Sequence, residues 1–430
     1  MPTMKAWQAS AYGAEGNPAD TIANLKLADV EIPSAGAGQI QVKVSHAALN
    51  PIDWKLFSGG LHGICPCTFP YVPGFDILGE VTAVGEGAYL RQHARRASGR
   101  SCRSQNDSYE TTTWRAFSSV THSRTCTIEV FRGNALSSKD FLFFFTELKK
   151  YVNDVLTRSP RFTRRLPGVS DFQVGDKVCA DLGLVETCID PKPAQGNAGA
   201  FAEFAVVPAS LCARARGLDP ASAAGLPLAG LTAYQALFTK AARTFTGEPL
   251  GDLKANQKLL VLGGATSVGA FAIQLAKNAG AHVACTASAK TNSRGVAKTA
   301  ACAELGADVV VDYTKEEWSV ALAGHEYDLV FDTIGKQEDW ANAAKVLKKG
   351  GDFISVANFA ADAAANESNV FKNFLLKSDG GDLMDLVAMV EAGKLTVAVD
   401  SVVPFADVPA ALAKSSAQAN AGKIVVDVAK

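Results

Sequence analysis

Hydrophobic and polar residues alternate along two early parts of the chain, residues 40–48 and 79–84. In the first part, Ile40, Val42 and Val44 alternate with polar residues. A period of two places one side-chain face against a core, so both segments are predicted to be strands. Glycine and proline interrupt the pattern throughout, which indicates a first part made mostly of strands with short connections.

The same reasoning predicts two later strands in this β-rich part. The sequence of residues 174–178 predicts a turn that leads into a strand. Hydrophobic and polar positions alternate over residues 201–207, which predicts a second strand.

From residue 219 onward the pattern changes. Residues 221–238 are rich in alanine and leucine at helical spacing, and a strand, a turn and a helix then follow one another repeatedly. Strands that alternate with helices indicate a doubly wound parallel sheet with right-handed connections. The five predicted strands of this sheet are residues 258–262, 281–285, 307–311, 327–332 and 352–356.

A glycine-rich turn joins the first of these strands to a predicted helix over residues 270–278. In this context glycine lets the backbone approach a pyrophosphate, and the free N–H groups of the helix start face its negative charge. The alternative is a strand, turn and helix that bind no ligand. The residues expected to contact a dinucleotide are Gly263, Gly264, Ala265, Thr266, Ser267, Val268 and Gly269.

The end of the second strand bears on the choice of coenzyme. Sites that prefer NAD usually place an acidic residue there, against the 2′-hydroxyl of the adenosine ribose. Ser288 and Lys290 supply a hydroxyl and a cation instead, which suit a 2′-phosphate. The sequence therefore predicts NADPH, with a solvated surface lysine as the alternative for Lys290.

Composition places the chain among ordinary soluble globular proteins. Its 430 residues are 48% hydrophobic and 20% charged with a formal net charge of -1, which suits two or three domains. Nine cysteines give no disulfide framework, and the first twelve residues lack the apolar centre of a signal peptide. A cytoplasmic location is expected. The aromatic run 141–145 is far shorter than the roughly 20 apolar residues of a spanning helix, so no membrane segment is expected.

Charge is distributed unevenly along the chain. Residues 88–168 hold 15 Lys and Arg against 6 Asp and Glu, a net charge of +9, whereas the remaining residues hold 27 against 37. Twelve of the 16 arginines lie in this basic segment. Its composition differs from that of the rest of the chain.

Seven pieces of the sequence form a recognisable series. They are residues 50–55, 73–81, 84–87, 174–178, 199–204, 228–234 and the glycine turn. In this order they resemble the medium-chain dehydrogenase/reductase superfamily, and they are most similar to its zinc-independent quinone oxidoreductase and enone/enoyl reductase branch. The resemblance covers nearly the whole chain except residues 88–168.

The resemblance implies a Rossmann doubly wound parallel sheet inserted into a GroES-like, partly open β-barrel catalytic domain. The active site would be the cleft between the two. In this division the catalytic domain comprises residues 1–87 and 169–227, the NADPH-binding domain residues 228–375, and the C-terminal return to the catalytic domain residues 376–430.

Two interpretations of the basic segment remain open. It is an accessory loop that binds nucleic acid or an anionic surface, or it is a translated intron in the gene model. The codons of Gly87 to Tyr89 and of Pro167 and Gly168 can be written to contain splice donor and acceptor sequences. Removal of residues 88–168 would restore an uninterrupted turn, so the intron is favoured.

The resemblance also assigns roles in coenzyme binding. Thr232 corresponds to a position near the nicotinamide, and Tyr313 to a position near the adenosine phosphate. Thr266 occupies a position where the family usually has glycine, so it is expected to narrow the approach of the pyrophosphate.

The positions that hold the catalytic zinc in related alcohol dehydrogenases are changed here. Asn50 stands in place of a cysteine and Phe75 in place of a histidine, and a phenyl ring cannot coordinate zinc. Only Cys179 and Cys188 are present where a structural zinc site needs four cysteines. No bound metal is expected.

One further group of possible metal ligands lies outside these positions. Cys65 and Cys67, beside His62, are spaced more tightly than typical zinc ligands, so they are interpreted as plain loop residues.

Without a metal, the chemistry depends on hydride transfer and on hydrogen-bond donors near the acceptor oxygen. By resemblance Lys55 lines the site and is the candidate for holding the developing oxyanion. Asn50 is expected as a second polar contact, and Asp53 as the residue that orients the loop or Lys55. The alternatives are a turn-capping carboxylate for Asp53 and a solvated cation for Lys55.

Three hypotheses of function follow. The leading one is an NADPH-dependent reductase of quinones or α,β-unsaturated carbonyls. The others are an enoyl-thioester reductase of fatty-acid or polyketide synthesis and a catalytically silent nucleotide-binding scaffold. The superfamily also suggests a homodimer built through the edge strands of the nucleotide domain.

Overall fold

The computed structural model describes most of both expected domains. The basic segment 88–168 lies outside the described residues, so both interpretations of it stay predictions. The described residues are 2–13, 18–59, 66–86, 169–183, 199–238, 249–292, 295–359 and 366–430.

The described residues form three sheets and a set of short helices. The strands are β1 (Thr3–Ala9), β2 (Leu25–Glu31), β3 (Gln39–Ala48), β4 (Asp76–Val84), β5 (Lys177–Asp181), β6 (Phe204–Pro208), β7 (Cys212–Arg214), β8 (Lys258–Leu262), β9 (His282–Ala287), β10 (Val309–Asp312), β11 (Tyr327–Asp332), β12 (Leu347–Ser355), β13 (Val370–Asn373), β14 (Val399–Pro404) and β15 (Lys423–Asp427). The helices are α1 (Pro18–Ala23), α2 (Pro51–Phe57), α3 (Pro220–Gly225), α4 (Pro227–Phe238), α5 (Ser267–Asn278), α6 (Lys298–Glu304), α7 (Trp318–Ala321), α8 (Gln337–Ala343), α9 (Gly380–Glu391) and α10 (Val408–Ser416).

The barrel region is a seven-stranded sheet in the order β14-β15-β3-β4-β5-β7, with β6 paired to β3. Strand β3 shows the predicted alternation, because Ile40, Val42 and Val44 are at most 4% exposed while Lys43 between them faces solvent. Strand β15 pairs antiparallel with β3. Residues near the beginning and the end of the chain therefore share one sheet.

The nucleotide region is a six-stranded, fully parallel sheet in the order β10-β9-β8-β11-β12-β13. The strand order reverses between β8 and β11, and in such sheets ligands bind at this reversal, beyond the carboxyl ends of the strands. The glycine turn follows β8 at this point. The predicted fold class, a doubly wound parallel sheet combined with a barrel, is confirmed.

Some element boundaries differ from the prediction. The single helix expected over 221–238 is two helices, α3 and α4, because Pro227 has no N–H with which to continue the first. Strand β12 begins at Leu347, whereas the predicted strand begins at residue 352. Strand β13 was not predicted, since it is a short edge strand with no fully buried residue.

Helix α4 lies at the junction of the two regions. Leu228 packs against the hydrophobic cores of both. Its backbone N–H donates to Asp76 Oδ1, at the start of β4, over 2.8 Å. This hydrogen bond ties the barrel directly to the first helix of the nucleotide region.

In the part of the chain that the structure describes, no helix combines the length and the apolar character that are needed to cross a bilayer.

Candidate active site and coenzyme cleft

The glycine turn is packed so closely against its neighbours that its glycines have no room for a side chain. Gly263 has a φ of 88°, and a Cβ there would lie 2.5 Å from Ile334 Cδ1. A Cβ on Gly264 would lie 2.7 Å from Cys285 Sγ, and one on Gly269 would lie 2.2 Å from the carbonyl oxygen of Gly263. The turn therefore requires glycine at all three positions.

The N–H groups of the first two glycines are used inside the protein. Gly263 donates to Thr286 Oγ1 over 2.9 Å, and Gly264 donates to the carbonyl oxygen of Thr286 over 2.8 Å. Any contact of Gly263 or Gly264 with a dinucleotide would therefore use atoms other than these N–H groups, and the expected contacts of the turn stay a prediction. Gly263 and Gly264 shape the turn, and their N–H groups are not free to bind a pyrophosphate.

Thr266 caps the N-terminus of α5. Its Oγ1 accepts the N–H of Gly269 over 2.9 Å and lies 3.0 Å from Thr333 Oγ1. The N–H groups of Ser267 and Val268, in the first helical turn, have no intrahelical carbonyl to bind. These two groups remain as the donors for an anion at the helix start.

The residues expected near the adenosine phosphate follow the carboxyl ends of two neighbouring strands, with Ser288 and Lys290 after β9 and Tyr313 after β10. The N–H of Tyr313 donates to the carbonyl oxygen of Ala287, at the end of β9, over 3.2 Å. Lys290 and Tyr313 are exposed, whereas Ser288 is buried. Lys336, which the sequence analysis missed, places its Nζ 6.0 Å from the Tyr313 ring centroid. These positions thus offer two accessible cations and a phenol.

Thr232 lies on α4, in the wall between the two regions. Its side chain is buried, and its hydroxyl donates to the carbonyl oxygen of Leu228 over 2.7 Å. Thr232 belongs to the junction, and its expected position near the nicotinamide stays a prediction.

The carboxyl group of Asp53 organises the beginning of α2. Its Oδ2 accepts the backbone N–H of Asn50, the N-cap residue, over 2.6 Å. Its Oδ1 has no hydrogen-bond partner among the described residues. Complete burial raises the pKa of Asp53 well above its usual value. This contact is that of a turn-capping carboxylate, the alternative given for Asp53. The expected role of Asp53 in orienting the loop or Lys55 stays a prediction.

Both polar atoms of the Asn50 side chain have partners inside the protein. Nδ2 donates to Asp76 Oδ2 over 2.8 Å, and Oδ1 accepts from Lys423 Nζ over 2.7 Å. The residue is only 3% exposed. This contradicts the expectation that Asn50 is a polar contact for the acceptor, because its hydrogen-bonding groups are already engaged.

Lys55 lies on α2 and its side chain reaches solvent. Its Nζ is 5.8 Å from the Trp54 ring centroid, and it forms no ion pair with the residues that the structure describes. Desolvation lowers the pKa of Lys55 below its usual value, as expected for a side chain that is accessible but crowded by protein atoms. Its expected role toward an acceptor oxygen stays a prediction.

Phe75 and Cys67 occupy two of the positions considered above for metal ligands. Phe75 is buried in the barrel core, and burial raises the pKa of the Cys67 thiol to about 11. Within the described ranges, no three His, Cys, Asp or Glu side chains are grouped so that they could hold a metal ion. Residues His62, Cys65 and Cys188 lie outside those ranges.

A cavity of about 360 Å³ adjoins the glycine turn. It lies between the turn, helix α6 and the C-terminal segment, and its lining includes Ala265, Lys298, Cys302, Thr396 and Gly422. Neither the catalytic lysine candidate nor the α4 threonine lines it.

Sequence reasoning missed two residues that shape the site, Asp76 and Lys423. Asp76 lies within one of the recognised motifs, residues 73–81, but that motif does not assign a role to the residue. Lys423 begins an apolar strand, where a lysine is usually exposed. Only the fold shows that its ammonium is buried against Asn50 and Asp76.

Two protein-family models match the chain. The model described as alcohol dehydrogenase GroES-like domain matches residues 36–117, and so ends inside the basic segment. The model described as zinc-binding dehydrogenase matches residues 305–426. The two matches lie in the barrel part and in the C-terminal half.

Three curated relatives are similar over much of the chain. The NADPH-dependent alkenal/one oxidoreductase, chloroplastic, of Arabidopsis thaliana is 28% identical over 98% of this chain and 79% of its own length. The quinone-oxidoreductase QR1, chloroplastic, of Triphysaria versicolor is 25% identical over 99% and 98%. The NAD(P)H oxidoreductase RTN4IP1, mitochondrial, of Danio rerio is 32% identical over 60% of this chain and 68% of its own length.

Solved structures share the fold. The quinone oxidoreductase from Coxiella burnetii superposes with a TM-score of 0.65 at 22% identity, and the match covers 99% of this chain and all of that one. This likeness supports the two-region architecture described above.

Proposed function

Because the chain belongs to the medium-chain dehydrogenase/reductase superfamily, we propose that it reduces quinones or α,β-unsaturated carbonyls with NADPH. It is an oxidoreductase, and its relatives include an NADPH-dependent alkenal/one oxidoreductase and a quinone oxidoreductase. The observation that carries the proposal is Lys55, a cation without an ion-pair partner in the described structure.

The residues present fit NADPH. Close packing around Gly264 fixes the course of the glycine turn, and the Ser267 and Val268 N–H groups that follow it would hold the pyrophosphate. Lys290 and Tyr313 would hold the 2′-phosphate. Bound NADPH supplies the hydride.

Lys55 acts on the acceptor. Reduction of a conjugated carbonyl at its β-carbon leaves negative charge on the carbonyl oxygen, and a fixed ammonium stabilises that charge. Water then supplies a proton to the α-carbon of the resulting enolate. Asp53 contributes by fixing the N-terminus of the helix that carries Lys55.

Exchange of Lys55 tests this role. Lys55→Ala is expected to lower kcat for quinones and enones by roughly 10²-fold or more, the scale on which one oxyanion-stabilising donor acts. Lys55→Arg keeps the charge and serves as the control. Unchanged turnover of Lys55→Ala on every active acceptor would remove Lys55 from the mechanism.

The reaction is proposed to need no zinc. Support comes from Asn50, whose amide is engaged in the core, and from Phe75, whose ring cannot bind a metal. Elemental analysis of the purified, active enzyme tests this point. Stoichiometric zinc would contradict it.

The domain division and the assembly are proposals as well. Pairing of β15 with β3 supports assignment of residues 376–430 to the catalytic domain. The exposed edge strand β13 supports a homodimer formed through the nucleotide domain. Light scattering after size-exclusion chromatography measures the mass, and a monomer would contradict the dimer.

The location is proposed to be the cytoplasm. Five cysteines of the described residues are free thiols, which suits a reducing compartment. The relatives named above carry chloroplastic and mitochondrial designations. Imaging of the tagged protein in its own cells distinguishes these locations.

A further inference from the structure

Three polar side chains meet in the core where the barrel joins the nucleotide region. Lys423 Nζ lies 2.7 Å from Asn50 Oδ1 and 2.9 Å from Asp76 Oδ2. Asn50 Nδ2 closes the triangle with its hydrogen bond of 2.8 Å to the same Asp76 oxygen. Asn50, Asp76 and Lys423 are called the junction cluster below.

The junction cluster is deeply buried. The side chain of Lys423 is 2% exposed and that of Asp76 is not exposed at all. A Cβ on Gly225 would lie 3.3 Å from both Cβ and Cγ of Lys423, so glycine leaves room for the lysine stem. A buried ion pair is weak support for stability compared with apolar packing. The main effect of the junction cluster is therefore to fix the geometry of the groups that it joins, more than to stabilise the fold.

The cluster connects the two helices that carry the candidate site residues. Asn50 is the N-cap of α2, on which Lys55 lies. Asp76 uses its second oxygen, Oδ1, to accept the N–H of Leu228 at the start of α4, one turn before Thr232. A single carboxylate therefore sets the position of both helix starts.

We propose that Lys423 is a positioning residue, which holds Asn50 and Asp76 so that Lys55 on α2 meets an acceptor placed against the coenzyme beside α4. This inference rests on the proposed function. The ammonium itself does not touch the acceptor, because both partners that it binds are buried protein groups. Lys423 therefore affects turnover only by fixing the position of Lys55.

A double-mutant cycle tests this dependence. Lys423→Met is expected to lower kcat by about tenfold to a hundredfold, the cost of a small misplacement of a catalytic group. The Kd for NADPH, measured by coenzyme fluorescence, should stay unchanged. In a chain that already carries Lys55→Ala, Lys423→Met should lower kcat no further.

Asn50→Ala is the second variant. It cuts the connection from Lys423 to α2 but leaves the ion pair between Lys423 and Asp76 intact, so the buried charges stay compensated. It should show the same loss of kcat and the same non-additivity with Lys55→Ala. If Lys423→Met does not accumulate as folded protein, this variant decides the question by itself.

Lys372→Met is the matched control. Lys372 is a largely buried lysine, with a 2.8 Å ion pair to Asp352 in the nucleotide region, away from the junction cluster. It should change the Tm but not kcat.

The possible failures are distinguishable. Normal turnover of Lys55→Ala overturns the proposed role of Lys55, and the positioning role of Lys423 with it. Impaired Lys55→Ala combined with an additive effect of Lys423→Met or Asn50→Ala overturns only the positioning role.

Discussion

At the scale of single residues, the charge of Lys55 determines how turnover depends on pH. Desolvation lowers the pKa of this lysine, so its ammonium loses the proton at a lower pH than an ordinary lysine does. We expect kcat/KM to fall on the alkaline side as the pH passes through this lowered pKa. Lys55→Arg keeps its charge, and steady-state rates across the alkaline range should show this limb in the wild type only. The same alkaline limb in Lys55→Arg would assign it to another group.

Coenzyme choice is a second property of single residues. Lys290 is exposed near the end of β9, beside Tyr313. Lys290→Glu should raise the KM for NADPH by about tenfold to a hundredfold, the loss of one charge-assisted hydrogen bond. The KM for NADH should change little, and Lys290→Arg should keep the preference for NADPH. A Lys290→Glu enzyme that still prefers NADPH would contradict the assignment.

Residue types indicated the site only where a motif constrained them. The glycine turn was predicted from its strand and helix context, and Lys55 and Asp53 from the family resemblance of residues 50–55. The role of Asn50 was wrong because its partners, Asp76 and Lys423, are remote in sequence. Lys336 was missed because it follows β11 whereas Tyr313 follows β10, so the contact joins residues that are apart in sequence.

At the scale of elements, Thr266 replaces the usual turn glycine and caps α5 at the same time. Loss of its hydrogen bond with Gly269 in Thr266→Ala should cost about 1 kcal/mol. This corresponds to a decrease in Tm of about 2–4 °C in a domain of this size. Thr266→Ser keeps the oxygen and should keep the Tm, as measured by differential scanning fluorimetry. Equal Tm values for the alanine and serine variants would show that the cap contributes nothing.

Elements with strong periodicity were predictable and weakly patterned ones were not. Strands β8 and β11 have the predicted bounds because their apolar runs are buried on both faces of a parallel sheet. Strand β13 has partly exposed residues and no such run. The break between α3 and α4 follows from Pro227, whose effect on a helix is local and visible in sequence.

At the scale of the whole molecule, the basic segment 88–168 interrupts a connection between paired strands. The pairing of β4 with β5 continues beyond the start of β5, where the Gly175 N–H donates to the carbonyl oxygen of Val81 and the Val81 N–H donates to that of Asp176, each over 2.9 Å. A chain that joins Gly87 to Val169 should therefore fold. Its Tm should not be lower than that of the full chain, because a shorter loop costs less closure entropy, about 0.6 kcal/mol for each halving of its length.

The comparison of both chains also separates the two interpretations of the segment. NADPH oxidation by the shortened chain alone would support the translated intron. Oxidation by the full chain alone would make the basic segment a functional part of the enzyme.

The central claim is that this protein is an NADPH-dependent reductase of quinones or α,β-unsaturated carbonyls. Its most direct test is NADPH oxidation by the purified protein against a quinone, a 2-enal, an enone and an enoyl thioester. We predict turnover with the quinone or with the unsaturated carbonyls, and a marked loss of it in Lys55→Ala. Turnover of the enoyl thioester alone would favour the thioester reductase, and NADPH binding without oxidation of any acceptor would contradict the account and leave a nucleotide-binding scaffold.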